Sequence, residues 1–218
     1  AGFSTLVLDG GDPILRRNAH LENFPGFPAG VNPRQFLDLL VEQAARAGCT
    51  VREGRVTDLA EVDEGFEARL DDGTSVVGER AIAASWSDCS YLSDLDVDLD
   101  DQGKKTYVTP DPKGRTSVEG LYAAGRIAAQ YHQTVVAAGH GATAALTLIH
   151  DSDEPFYHDW VTPEGYFTDR GRDVPPGCEE IDEAERRRRE EESMRLMCER
   201  FSEPHPDPQQ THPSLVDD

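Results

Sequence analysis

Two glycines interrupt the most apolar segment of this chain, and they indicate backbone that is kept bare for contact. Gly139 and Gly141 lie in the run Thr134–Ile149, which otherwise favours a helix. Each glycine costs a helix roughly 1 kcal/mol relative to alanine. A helix that tolerates this cost usually needs its backbone close to something else. Two explanations remain possible: an anion or aromatic ring system lies over exposed N–H groups, or the helix packs closely on a sheet.

A motif of small residues precedes that segment. Leu121, Tyr122 and Ala123 are typical of a short buried strand, and Ala124 and Gly125 leave no side-chain bulk where it ends. The two motifs together predict a strand, a bare turn and a helix.

The cysteines and the histidines near the C-terminus give weaker indications of chemistry. The four cysteines are scattered, with no Cys-x-x-Cys pair, at positions 49, 89, 178 and 198. This usage predicts a reducing cytoplasm rather than a disulfide framework. His205 and His212 near Asp207 could be metal ligands, but no pair has the spacing of a zinc site.

The charge balance is extreme, with 42 acidic residues against 21 basic ones and a formal net charge of −21. Self-repulsion at this charge destabilises a compact state in dilute buffer, and concentrated salt screens it. Almost all of the cations are arginines, so the composition predicts a protein from a salt-loaded cytoplasm. The sign of the charge disfavours nucleic acid and anionic membrane surfaces as partners, and no apolar run is long enough to span a membrane.

Hydrophobic periodicity predicts alternating strands and helices over the first 150 residues. Asn32-Pro33 begins a helix that Gly48 ends. Strands are predicted at Thr5–Leu8, Thr50–Asp58, Phe66–Leu70, Val76–Arg80, Arg80–Ala84 and Lys105–Val108. The acidic stretch 86–101 predicts a solvated loop.

The chain changes character after His150. Residues 154–177, rich in aromatics, proline and glycine, predict an extended arm, and Ile181–Phe201 predicts a charged helix. That helix offers favourable i,i+4 pairs at Asp182/Arg186, Glu183/Arg187 and Glu185/Arg189. From Pro204 the composition predicts disorder.

These pieces, in this order, resemble the thioredoxin-reductase-like family of FAD-dependent oxidoreductases. The resemblance rests on residues 6–11, 22–28, 120–125 and 132–142. It implies an α/β fold: a Rossmann-like FAD-binding domain over residues 1–150, whose parallel sheet carries a β-meander crossover. An arm at 151–178, a helix at 179–203 and a tail at 204–218 would follow. With the charge, the resemblance suggests a haloarchaeal, cytoplasmic member of the family.

The same resemblance implies positions for the adenosine half of FAD. Asp9 would lie near the ribose as an acceptor for its hydroxyls, and Val56 would lie beside the adenine through its backbone. The structural alternatives are a turn-forming aspartate and a core residue of the meander.

On the flavin side, the resemblance places Asn23 facing the isoalloxazine, with a turn cap as the alternative. The amides of Gln133, Thr134 and Val135 would face the pyrimidine end, where a helix N-terminus favours the charge that grows on reduction. Gly125 belongs to the second FAD motif. Two histidines, structural if not catalytic, would be proton partners at His132 and His140.

Three departures from the family pattern limit this assignment. First, the glycine-rich pyrophosphate fingerprint is absent. Residues 1–4 resemble the end of the helix after it, so we expect either an N-terminally truncated chain or a protein that has lost this feature, and poor retention of FAD in both cases. Second, Arg126 stands where the family has aspartate, and it could pair with the pyrophosphate instead.

Third, only about 35 residues separate Ser85 from Gly120, too few for the family's NAD(P)H domain and its redox Cys-x-x-Cys. Cys89, within that segment, is either a packed cysteine or a thiol beside the flavin. Two functions therefore remain. One is an FAD-dependent oxidoreductase without dithiol chemistry, which passes electrons between an unidentified small-molecule or protein donor and acceptor. The other is a non-catalytic interaction module, a scaffold or regulator, for which the arm would be a contact surface or would join two copies in a homodimer.

Overall fold

The computed structural model describes residues 2–11 and 13–211. These residues divide into a larger compact unit, residues 4–151 with 209–211, and a smaller one, residues 2–3 with 152–208. Among them, no helix is both long enough and apolar enough to cross a membrane.

The larger unit begins with a strand, a helix and a second strand: β1 (Leu6–Asp9), α1 (Pro33–Arg46) and β2 (Thr50–Glu53). The side chain of Asn32 caps α1 by accepting a hydrogen bond from the Arg34 N–H at 2.9 Å. β1 and β2 pair in parallel, with Leu6 opposite Thr50. The predicted α/β class is confirmed, and so is this helix.

An antiparallel meander follows, formed by β3 (Val56–Val62), β4 (Gly65–Leu70) and β5 (Ser75–Gly78). The sequence predicted a single strand over Thr50–Asp58, and this was wrong because the chain turns at Gly54. A Cβ atom on Gly54 would lie 2.2 Å from Cδ2 of Leu70, so a larger residue here would have to displace the Leu70 side chain.

The chain then forms β6 (Ala81–Ala83), a hairpin of β7 (Leu99–Asp101) and β8 (Thr106–Val108), β9 (Leu121–Ala123) and α2 (Thr134–His150). β6 and β9 pair in parallel. The prediction of a solvated loop at 86–101 was wrong in part. Leu95 and Val97 alternate with exposed aspartates, and each is 8% exposed because it packs into the core.

One core cluster joins the meander to the parallel strands. Its most deeply buried members come from β9, the turn after it and the segment after β6: Leu92, Leu121, Ala123 and Ile127. The strand prediction at Leu121–Ala123 is confirmed. The core therefore fixes the strand ends from which the candidate site residues project.

The smaller unit contains a parallel pair, β10 (Trp160–Pro163) with β11 (Cys178–Ile181), and the charged helix α3 (Glu183–Arg200). Two predicted ion pairs form, Glu183 with Arg187 at 2.8 Å and Glu185 with Arg189 at 2.7 Å. Asp182 instead caps α3 by accepting from the Glu185 N–H at 2.7 Å. Residues 212–218 of the predicted tail, with His212, lie outside the described residues.

Candidate functional site

The N-terminus of α2 offers backbone donors that the side chain of its N-cap residue does not satisfy. Gln133 occupies the N-cap position with extended dihedral angles, but its side chain accepts no bond from the helix. The first amides of the helix, from Thr134 and Val135 onward, lack carbonyl partners within it. Because the helix dipole adds partial positive charge there, this terminus favours an electron-rich group.

The side chain of Gln133 is engaged by the loop before α1. Nδ2 of Asn23 donates a hydrogen bond to Oε1 of Gln133, although 110 positions separate the two residues. Asn23 also lines a cleft of about 510 Å³ formed by residues 22–28. The structure thus brings two predicted flavin-side residues together, at the rim of a cleft beside the start of α2.

Aromatic packing and a buried arginine hold that loop in place. The Phe24 ring lies 4.6 Å from that of Phe36, and Phe27 completes a triangle. Arg34, which is 5% exposed, donates to the backbone carbonyl of Arg16 at 2.9 Å. The loop 22–28 is therefore anchored to α1, so the position of Asn23 is set by packing.

The two glycines of α2 face open space. Among the described residues, no heavy atom lies within 4 Å of a Cβ built on Gly139 or Gly141. Close packing on a sheet, one of the two alternatives from the sequence, is therefore contradicted. The apolar residues Val135 and Leu146 on this helix are also exposed, at 39% and 44%.

His140 is tied to the strand end rather than free in the cleft. Its Nδ1 accepts a hydrogen bond from the Gly125 N–H at 3.0 Å. Burial lowers the pKa of His140, so the imidazole is neutral at pH 7 and carries its proton on Nε2. This contact joins two predicted site residues, and it leaves an N–H on His140 as a donor.

His132 and Arg126 meet at an aromatic pair that the sequence did not single out. The His132 ring packs edge-on against Trp86, with ring centroids 4.6 Å apart. The guanidinium of Arg126 lies 5.7 Å from the Trp86 ring and 4.8 Å from that of Tyr107. Trp86 directly follows the small residues that end β6, which was a usable signal, whereas nothing local marks Tyr107.

The predicted adenosine-side residues lie at a second place. The Asp9 carboxylate accepts from the Gly11 N–H at 2.9 Å, and the Asp9 carbonyl accepts from the Gly54 N–H at 2.8 Å. Val56 starts β3 two residues later and packs against the main core. The turn after β1 and the start of the meander are thus adjacent, and Asp9 is exposed to solvent.

Cys89 is a packed cysteine. It is 6% exposed, its Sγ donates to the carbonyl of Thr106, and burial raises the pKa of its thiol. All four cysteines of the chain are free. A buried thiol with a raised pKa is a poor nucleophile.

The fold is the α/β, Rossmann-like fold found in thioredoxin reductases. The thioredoxin reductase of T. acidophilum superposes with a TM-score of 0.63 at 16% identity, covering 70% of this chain and 92% of that chain. The atypical thioredoxin reductase TRi of Desulfovibrio vulgaris Hildenborough gives 0.55 at 16% identity, covering 71% and 92%. A thioredoxin reductase from Gloeobacter violaceus gives 0.60 at 13% identity, covering 72% and 98%.

At these identities the likeness shows the fold alone. No protein-family model matches the sequence, and no curated protein matches it either.

Proposed function

We propose that this chain is the flavin-binding part of an FAD-dependent oxidoreductase that works without a protein dithiol. The observation that carries the proposal is the bare face of α2: an uncapped N-terminus followed by two glycines with open space above them, beside the cleft at Asn23. A flat aromatic ring system with an electron-rich edge matches this surface in both shape and charge.

The residues present fit the ring end of FAD better than its pyrophosphate. Asn23, Gln133 and the first amides of α2 supply polar contacts, and the glycines leave room for the ring. The sequence holds no glycine-rich G-x-G-x-x-G turn after a strand to receive the diphosphate. Bound FAD would supply the chain with one- and two-electron transfer chemistry.

The chain's own groups would orient the ring and hold protons near it. The amides at the start of α2 would stabilise negative charge at the pyrimidine end. The neutral His140 would keep its Nε2 proton available as a donor. Electron donor and acceptor would reach the site from outside this chain, since Cys89 is buried and no Cys-x-x-Cys is present.

The reaction can be tested on the full chain in about 2 M KCl, where charge repulsion is screened. We expect FAD added in excess to bind, and its visible absorbance to bleach with a chemical reductant and return with ferricyanide. Rapid mixing with NADPH or NADH then identifies the donor. Asn23→Ala should lower the bound flavin, whereas the matched control Gln43→Ala, exposed on α1, should not. A protein that takes up no flavin at any FAD concentration would rule the proposal out.

The alternative, a non-catalytic interaction module, has one observation in its favour. The smaller unit exposes Tyr157, Trp160 and Met194 at 53%, 42% and 68%. If this surface binds a second copy, Trp160→Ser should shift a dimer to a monomer in sedimentation velocity. An unchanged sedimentation coefficient would count against the interaction module.

A further inference from the structure

Arg126 lies where three segments meet, in the turn 125–128 that follows β9. Its Nη1 donates to the backbone carbonyl of Gln130 at 2.9 Å, and its Nη2 donates to the hydroxyl of Tyr107. Tyr107 is 2% exposed and belongs to β8. The guanidinium therefore links a buried strand to the loop that leads into α2.

The aromatic partners extend this link to the far end of the same loop. Trp86, beside the Arg126 guanidinium, packs edge-on against His132. Arg126 thus restrains the loop 129–133 twice, through the Gln130 carbonyl and through the Trp86–His132 contact. Cation–π contacts of this kind add to the hydrogen bonds because the ring faces are electron-rich.

The loop needs such restraint because it contains a strained residue. Ala129 has φ 55° and ψ 15°. Among the residues that the structure describes, no other non-glycine residue has a positive φ. The Cβ of Ala129 disfavours this left-handed conformation. Backbone bonds from Ala129 N–H to the Arg126 carbonyl and from Gln130 N–H to the Gly125 carbonyl hold the turn closed, at 3.0 and 3.3 Å.

The same contacts leave Arg126 badly placed for a phosphate. A bidentate contact needs two neighbouring N–H groups on one edge of the guanidinium. On one edge both nitrogens already donate, to Gln130 and to Tyr107. On the other edge Nε is buried, with no partner among the described residues.

We propose that Arg126 is a positioning residue: it fixes the loop 129–133 and thereby the direction of the first turn of α2, and it does not bind the nucleotide. Gln133, the N-cap residue of α2, keeps its contact with Asn23 because this loop is fixed. The inference rests on the proposed function only where flavin binding is the readout, since the loop itself can be measured without flavin.

The test is amide hydrogen exchange on the whole chain, comparing Arg126→Met with wild type. Loss of both restraints should raise exchange at the hydrogen-bonded amides of Ala129, Gln130 and Gln133 by at least about tenfold, while exchange in the meander, residues 56–78, stays unchanged. Tyr107→Phe, which removes one acceptor and no charge, should give a smaller change in the same peptides. Arg52→Met is the matched control, because Arg52 is a half-buried arginine that pairs with Asp72.

A double-mutant cycle with Ala129→Gly separates positioning from general packing. Relief of strain should raise the melting temperature in wild type, and it should do so less in Arg126→Met, where the loop has already relaxed. Additive effects, unchanged exchange at the amides of Ala129, Gln130 and Gln133, or an equal rise across the meander would each overturn the inference.

Measurements of flavin binding keep the two proposals apart. If the chain binds FAD, Arg126→Met should weaken binding about tenfold, and Arg126→Lys should restore little because lysine lacks the planar fork. FAD binding by Arg126→Met as tight as by wild type would overturn the positioning role. If wild type binds no FAD, the proposed function fails, and the exchange data still decide what Arg126 does.

Discussion

His140 illustrates how burial and one backbone donor fix the state of a side chain. The Gly125 N–H points at Nδ1, so the neutral ring is the form that fits the fold. A protonated imidazole would present a second N–H to that donor and lose the bond. The residue thus joins the end of β9 to the middle of α2 at neutral pH, and less so in acid.

This arrangement predicts an acid-dependent loss of stability. Burial lowers the pKa of His140 in the folded chain, so protons bind the unfolded chain more tightly. The contribution of His140 is complete above the unfolded pKa of about 6.5 and is lost as the pH falls below it. Urea unfolding of wild type and His140→Gln between about pH 8 and 5 should show the stability advantage of wild type shrinking in acid.

The other histidines of the chain are common to both proteins and cancel in the difference. A stability difference that stays constant, or grows, as the pH falls would contradict the assignment of Nδ1 as acceptor.

At the scale of elements, α2 is an apolar helix that the described chain covers on one side only. Ala144 and Thr147 are buried, whereas Val135 and Leu146 are exposed. Gly139 and Gly141 weaken this helix, and a Cβ at either position would meet nothing within the described chain. The physical reason for keeping it would therefore lie in a ligand that approaches the backbone.

Gly139→Ala should accordingly separate stability from binding. Nothing among the described residues lies within 4 Å of the added Cβ, so the substitution should stabilise the flavin-free chain by roughly 1 kcal/mol through helix propensity alone. The same methyl group should weaken flavin binding. Thermal unfolding and FAD titration measure the two effects, and Ala142→Gly, exposed on the same helix, should destabilise by about as much.

A Gly139→Ala variant that loses stability would contradict the open environment of this position. One that gains stability and binds flavin as well as wild type would show that the glycine faces something else.

Local signals predicted the elements whose causes are local. Asn32-Pro33 and Gly48 delimit α1, and Asp71-Asp72-Gly73 forms the turn between two predicted strands of the meander. The approach of Gly54 to the Leu70 side chain could not be predicted, because sixteen positions separate the two residues.

The buried positions Leu95 and Val97 were missed because alternating leucine, valine and aspartate were interpreted by their charge rather than by their period of two. The candidate site was predictable in its residues but not in its contacts. Asn23 and Gln133 were both named, yet their hydrogen bond spans 110 positions. Tyr107, which lies in β8, becomes the partner of Arg126 only through folding.

At the scale of the whole molecule, net charge dominates. A formal charge of −21 on 218 residues opposes compaction, and ion pairs such as those along α3 offset it only locally. Hydrogen bonds from Arg186 and Arg187 lower the pKa of Glu183 to about 2, so these pairs persist far into acid. Screening by salt is therefore expected to act on the many remaining carboxylates.

The melting temperature should rise by roughly 5–10 °C between about 0.1 and 2 M KCl, the shift that some 2–3 kcal/mol produces in a chain of this size. Differential scanning calorimetry measures it. Sucrose at low ionic strength is the control, since it favours compact states without screening charge. A melting temperature that is flat or falls with KCl would contradict a salt-adapted protein.

The most direct test of whether the bare face of α2 binds flavin is an equilibrium titration of the chain with FAD in about 2 M KCl, monitored by flavin fluorescence. The proteins compared are wild type, Gly139→Leu and the α1 control Gln43→Leu, with circular dichroism to confirm that all three fold. We predict saturable one-to-one binding to wild type and the control, and a loss of at least about tenfold, or 1.4 kcal/mol, in Gly139→Leu. Equal binding by all three proteins, or binding by none, would show that the bare face of α2 is not a flavin site.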